Sequence, residues 1–199
     1  MKLLGRGWQY SVYDIGNGRV MKKYNTWLEA YIVMLKDAFA HLRPPVVCFS
    51  KYYYEGRALA QSSLKKLSEL PLEQWMFGNP KIVGMYEYEQ DFAESLATHL
   101  KRISDAERKQ AIDKFAEFAK LLLTHSIVEK NFNIGDNFGL NNQKQVILID
   151  IGEILFGKEE ILEQIKKRVW AAPDVLSRIP ESLRSYFVAR MDETLIGSQ

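Results

Sequence analysis

The sequence predicts an α+β fold, with a small antiparallel sheet in its N-terminal half and helices in its C-terminal half. Three observations lead there. Gly16-Asn17-Gly18 separates two strand-like runs, and these residue types tolerate the positive φ that a tight hairpin turn needs. After Phe92 the apolar residues change from short runs to helical spacing. The composition of the 199-residue chain, 47% hydrophobic and 26% charged, suits one compact domain or two small lobes.

Taken in order, Trp8 to Asp14 contains Tyr10, Val12 and Tyr13 and suits a strand, and Arg19 to Tyr24 suits its return. Asn25 or Thr26 can cap a helix that begins at Trp27. Leu28, Ile32, Leu35, Phe39 and Leu42 then form an apolar stripe, which Pro44-Pro45 ends. Val46 to Phe49 reads as a short strand, and Tyr52 to Ser62 as a hairpin turning at Glu55-Gly56. Leu64 to Asn79 is ambiguous, and Ile82 to Glu87 reads as a strand.

The second half begins with a short helix over Ala93 to Lys101. Ser104-Asp-Ala-Glu107 is a capping box for a long helix whose face carries Ala111, Ile112, Phe115, Phe118, Ala119, Leu122 and Leu123. A hairpin follows, from Phe138 to Leu140 and back along Val146 to Ile149. Helices near Glu159–Val169 and Pro180–Met191 close the chain.

The charge balance excludes some functions. With 27 basic and 25 acidic residues the formal net charge is +2, so nothing in it suits a nucleic-acid coat. The single cysteine, Cys48, excludes an internal disulfide and a cysteine-based zinc site. His41, His99 and His125 lack metal-ligand spacing, and His125 suits the C-terminal end of the long helix. No run reaches the length of a membrane span, and the opening MKLLGRGWQY does not read as a secretory signal. A cytoplasmic protein is the expectation.

Two constellations point to chemistry. Gly5-Arg6-Gly7 precedes a strand, so a backbone turn there can approach phosphate oxygens closely. Lys22, on the next strand, would project beneath that turn, and Glu29 on the following helix could hold it; a plain turn, an edge lysine and a solvated glutamate are the alternatives. In the second half, pairing across the hairpin brings Asn137 near Asp150. An amide carbonyl and a carboxylate make a partial shell for Mg²⁺, which takes its remaining ligands from water and phosphate. Alternatively, Asp150 caps the hairpin and Asn137 makes a turn bond.

Together these residues resemble the protein-kinase-like superfamily, including the aminoglycoside and lipopolysaccharide-core kinases. Gly5-x-Gly7-x-x-Tyr10-x-Val12-Tyr13 is similar to the glycine loop, and Val20-Met21-Lys22 to the strand lysine. Glu29 is similar to the helix glutamate, and Met85 to Glu89, with Glu87 and Tyr88, to the nucleotide-binding hinge; Arg57 to Gln61 is a rival strand before that hinge. Asn137 and Asp150-Ile-Gly152 are similar to the metal-binding Asn and the Asp-Phe-Gly motif. Within the superfamily, the chain is most similar to the YrbL-like proteins of the PhoP regulatory network.

The resemblance implies a bilobal fold with a reduced helical C-lobe, a single domain over residues 1–199 divided near residue 90, and ATP with Mg²⁺ in an interlobe cleft. It also implies a catalytic Asp five residues before the metal Asn. Phe132 stands there; Asn131 takes the place if one residue is inserted, Asp136 is the nearest carboxylate, and Glu129 is a further candidate. Two functions follow. One is a phosphotransferase to a small-molecule or cell-envelope hydroxyl, with Asn131 or Asp136 positioning the acceptor. The other is a pseudokinase acting as a nucleotide- or protein-binding regulatory module. An unrelated α+β binding domain is the third reading.

Overall fold

The structure, a computed structural model, describes residues 1–40, 44 and 47–197. It is α+β: small antiparallel sheets and several helices. The chain forms two compact units, one of residues 1–71 and 79–92, the other of residues 72–78 and 93–199. The expected division near residue 90 ignored the short excursion at 72–78, which contains a single 3-10 turn, Gln74–Phe77.

The first unit is built on a five-stranded antiparallel sheet of order β1-β2-β3-β5-β4. Its strands are β1 (Lys2–Arg6), β2 (Tyr10–Gly16), β3 (Arg19–Tyr24), β4 (Lys81–Gly84) and β5 (Glu87–Asp91). β1 has no counterpart among the expected strands, and the strand expected from Trp8 begins two residues later. The β2–β3 turn has φ of +87° at Gly16, +55° at Asn17 and +69° at Gly18, the left-handed region its sequence suggests.

Helix α1 (Trp27–Ala40) starts where expected, with Thr26 as its cap. The Glu29 amide donates to Thr26 Oγ1 at 3.3 Å, while Glu29 Oε2 accepts from the Thr26 amide and hydroxyl at 2.9 Å. The buried face differs from the expected stripe. Leu28 is 60% and Phe39 77% exposed, and Ile32 is exposed as well. Trp27, Ala30, Tyr31 and Met34 instead pack on Phe49 and Tyr53. Both sets have helical spacing, because only Glu29, Lys36 and Asp37 interrupt an otherwise apolar helix.

The expected strand and hairpin over residues 46–62 are replaced by helix α2 (Phe49–Glu69). Its buried residues Phe49, Tyr53, Gly56, Ala60, Ser63, Leu64 and Leu67 follow helical, not alternating, spacing. Gly56 is no turn residue. A Cβ there would come within 3.0 Å of the Trp8 indole, so glycine lets that ring seat against the helix. His41, Leu42, Pro45 and Val46, which entered the expected stripe, helix stop, strand and histidine set, lie outside the described residues.

The second unit contains β6 (Glu94–Ser95), α3 (Leu96–Leu100), α4 (Asp105–Thr124), β7 (Val128–Glu129), β8 (Phe138–Leu140), β9 (Val146–Leu148), β10 (Ile154–Leu155), α5 (Lys158–Lys167), α6 (Pro173–Leu176) and α7 (Arg184–Leu195). The Ser104–Glu107 capping box forms as its sequence indicates. Ala111, Ile112, Phe115, Phe118, Ala119 and Leu122 of α4 are buried, and Phe115 lies edge-on to Phe138, centroids 4.8 Å apart. α7 buries Phe187 and Met191, while Tyr186 donates to Asp113 of α4 at 2.8 Å. Among the described residues, no helix is long and apolar enough to cross a membrane.

Candidate functional site

In the first unit, the register of β2, β3 and β5 sets Val12 opposite Lys22 and Lys22 opposite Tyr88. Three candidate residues thus share one cross-strand row. Tyr10 belongs to the same face, and its ring meets that of Tyr88 edge-on at 5.5 Å. Lys22 is buried, with Nζ 5.7 Å from the Tyr88 ring centroid. The row therefore offers one cation on an aromatic floor.

The segment from Gly7 to Gln9 joins β1 to β2 and is held by Asn25. Its Nδ2 donates to the carbonyls of Gly7 at 2.7 Å and Trp8 at 3.2 Å, and its amide donates to the Gln9 carbonyl at 2.7 Å. Ser11 Oγ donates to Asn25 Oδ1 at 2.6 Å and accepts from Arg6 Nε at 2.8 Å. Within a trans peptide the carbonyl and the following N–H point opposite ways. With the Gly7 and Trp8 carbonyls turned to Asn25, the Trp8 and Gln9 amides project from the other side. Gly5 has open space around its Cβ position. The sequence suggests only a helix cap for Asn25, because its role here depends on a loop distant along the chain.

Glu29 does not pair with Lys22. Its Oε1 lies 3.1 Å from Arg6 Nη2, while Oε2 takes the Thr26 amide and hydroxyl. The Thr26 backbone and hydroxyl bonds, with the Arg6 charge, hold its carboxyl below the usual range. The short interval after Lys22 puts Glu29 in the first turn of α1, where it serves the cap.

The expected hinge is not one. Met85 and Tyr86 form the turn between β4 and β5, and Glu87 and Tyr88 lie within β5. Glu87 pairs with Lys23 at 3.4 Å, and Tyr88 is fully buried. The rival segment, Arg57 to Gln61, is helical, and the Arg57 guanidinium lies 3.9 Å above the Tyr86 ring centroid. After the excursion at 72–78, the chain leaves the first unit for good only after Phe92.

In the second unit, the hairpin register pairs Phe138 with Leu148, which places Asn137 beside Ile149 and Asp150. The Asn137 carbonyl accepts from the Ile149 amide at 2.8 Å and the Asp150 amide at 3.1 Å, and the Asn137 amide donates to the Asn133 carbonyl at 3.2 Å. Asp150 Oδ1 accepts from the Gly152 amide at 3.1 Å. The two candidate metal ligands are thus brought together. Asn137 Nδ2 donates to Glu129 Oε1 at 2.9 Å, and its Oδ1 accepts no hydrogen bond among the described residues. One amide oxygen and one carboxylate fit Mg²⁺ as a two-ligand platform. No group of three or more His, Cys, Asp or Glu suited to a metal occurs among the described residues.

Glu129 organises the loop between β7 and β8. Its side chain is fully buried, and Oε2 accepts from the Asn133 amide at 2.8 Å and the Asn131 amide at 3.2 Å. Desolvation raises its pKa to about 7, against the pull of those N–H bonds and of Asn137, with Glu153 adding a further upward push. Such burial leaves it no reach to an acceptor hydroxyl. Sequence reasoning missed this role, although a signal was there: one acid in an apolar Ile127-Val128-Glu129 run, followed by donors within eight residues.

The remaining catalytic candidates are dispersed. Phe132, at the position of the expected base, is buried, has φ +49° and meets Trp170 edge-on at 5.7 Å. Asn131 is half-buried and offers no carboxylate. Asp136 Oδ2 lies 3.0 Å from Arg178 Nη2. Phe132 and Asn131 carry no carboxylate, and the Asp136 carboxylate is ion-paired.

No protein-family model and no curated protein matches the chain. Among solved structures it is similar to the complex of Rv3197 with erythromycin from Mycobacterium tuberculosis. The two are 16% identical, with a TM-score of 0.45, over 77% of this chain and 45% of that one. The chain thus spans less than half the length of that structure. At that level neither fold nor activity transfers.

Proposed function

We propose that this chain is a small, divergent protein of the protein-kinase-like fold, a single domain of two lobes that binds ATP with Mg²⁺. The observation that carries the reading is the Asn137–Asp150 pair. Two residues at the open end of one hairpin, just outside its strands, are tied by backbone bonds, with an amide oxygen and a carboxylate left for a cation. Lys22, on the third strand of the order β1-β2-β3-β5-β4 and followed by a helix, supports it as the cation for phosphate oxygens. The Trp8 amide, turned from Asn25, is a further donor to an anion. Bound Mg²⁺ supplies charge neutralisation on the phosphate oxygens.

As an enzyme the protein would move the γ-phosphoryl group of ATP to a hydroxyl of a small-molecule or cell-envelope acceptor. The bond to the β-phosphate oxygen breaks, the acceptor O–P bond forms, and the hydroxyl proton needs a base. A specific observation favours a second reading, a nucleotide-binding pseudokinase acting as a regulatory module: Phe132 is buried, Asn131 cannot take a proton, and Asp136 is paired with Arg178.

The test is ligand-dependent stabilisation. A ligand that binds only the folded state at 100 times its Kd stabilises by about 2.7 kcal/mol. Millimolar MgATP should raise the melting temperature of the wild type, and Asp150→Ala should remove that rise. No rise in the wild type refutes the nucleotide site. With binding established, incubation with γ-labelled ATP and extracted metabolites separates the readings: labelled product identifies the enzyme, and its absence the pseudokinase.

A further inference from the structure

We propose that Glu129 is a positioning residue that fixes which way the Asn137 carboxamide faces, and so makes the cation site an oxygen site; the inference rests on the metal-binding reading of Asn137 and Asp150. The backbone of Asn137 is held on both sides. Its carbonyl takes the Ile149 and Asp150 amides, and its amide donates to Asn133. Only the side-chain torsions remain to be set. An amide carries its donor and acceptor on opposite sides, so whatever receives Nδ2 also directs Oδ1. Glu129 Oε1 receives Nδ2 at 2.9 Å, which turns Oδ1 away from Glu129.

The carboxylate suits this task for a reason visible in its other oxygen. Oε2 faces two N–H donors, from Asn131 and Asn133, at 3.2 and 2.8 Å. A carboxylate accepts on both sides, so it satisfies the loop amides and the Asn137 donor together. A glutamine cannot. Its oxygen must face the two loop amides, which leaves its NH₂ facing the Asn137 NH₂. The Asn137 carboxamide then turns over, Oδ1 accepts from the introduced glutamine, and an NH₂ group replaces oxygen at the cation.

A sign reversal follows. With Glu129 present, Asn137→Asp sets two carboxylates at hydrogen-bond distance. In the Glu129→Gln background, the aspartate introduced by Asn137→Asp accepts from the glutamine NH₂ and still offers oxygen to the metal. The same substitution is therefore harmful in one background and restorative in the other, which a merely structural role for Glu129 does not produce.

The experiment is titration calorimetry of MgATP, and of ATP in EDTA, into the wild type, Glu129→Gln, Asn137→Asp and the double variant. Circular dichroism establishes that each is folded. The residues that orient metal ligands typically change metal affinity by about 10–100-fold. Glu129→Gln should weaken MgATP binding by at least about 10-fold with metal-free ATP unchanged, Asn137→Asp should also weaken it, and the double variant should regain affinity. A folded Glu129→Gln with wild-type MgATP affinity overturns the proposal, as does a double variant no better than Glu129→Gln.

A second readout separates this proposal from the metal reading. In the metal-free wild type, the Asn137 side-chain NH₂ should give a downfield, slowly exchanging NMR pair that moves in Glu129→Gln. Its absence overturns the positioning role even where MgATP binds. Its presence with no MgATP binding upholds the geometry and overturns the metal site.

Discussion

Replacing Glu129 by Gln in metal-free protein should change how stability depends on pH. The ordinary carboxyl value of 4.5 rises to about 7 in the folded state, chiefly through desolvation. Between those values the folded state binds more protons than the unfolded one, so stability falls as pH rises. The effect is absent below about pH 4.5, grows through the interval and is complete above about pH 7. At about 1.4 kcal/mol per pH unit, the gap corresponds to about 3 kcal/mol. Glutamine does not titrate, so its variant lacks this slope. The assay is urea unfolding of both proteins in EDTA from pH 5 to 8, compared at each pH so that the other carboxylates cancel. The difference between wild type and variant should shift against the wild type by up to about 3 kcal/mol across the window. Parallel stability curves, or a wild type that gains on the variant as pH rises, would refute the reasoning.

Gly139→Ala should destabilise the second unit, because a Cβ there would lie 2.7 Å from the Glu94 carbonyl oxygen, and backbone cannot swing aside as a side chain can. A loss of about 1–3 kcal/mol in urea unfolding is expected, and an unchanged midpoint would contradict the packing. Ser104→Ala removes the hydroxyl half of the α4 capping box and should cost about 1 kcal/mol by the same measurement. Lys22→Met should abolish the melting-temperature rise with MgATP. A retained rise would remove Lys22 from the nucleotide site.

What can be read from the sequence is what neighbouring residues decide. The Ser104–Glu107 box, the Gly16–Gly18 turn and the Asn137–Asp150 hairpin each lie within a short stretch, and each forms. Gly56 reads as a turn because its meaning depends on the Trp8 ring, which meets it only in the folded chain. The α1 stripe is ambiguous because an almost wholly apolar helix offers two faces, and Phe49 and Tyr53 of α2 decide between them. The expected hinge falls a strand too early, because Met85-Tyr86 turns without the usual turn residues, after Gly84. At the site, Lys22 and Val12 fall in one row through strand register, whereas Glu29 is drawn to Thr26 and Arg6 by its place in the first helical turn. The part of Glu129 requires knowing that it is buried, which local sequence does not state.

The central claim is that Asn137 and Asp150 hold a cation beside a bound nucleotide. Mn²⁺ tests it directly, since a paramagnetic ion broadens the NMR signals of nuclei near it. Substoichiometric MnATP, added to ¹⁵N-labelled protein, should broaden first the Asn137 side-chain amide and the backbone amides of Asp150 and Gly152, and excess MgATP should restore them. Asp150→Ala should abolish the effect. Broadening centred elsewhere in the chain, or none where MnATP is present, would contradict the account.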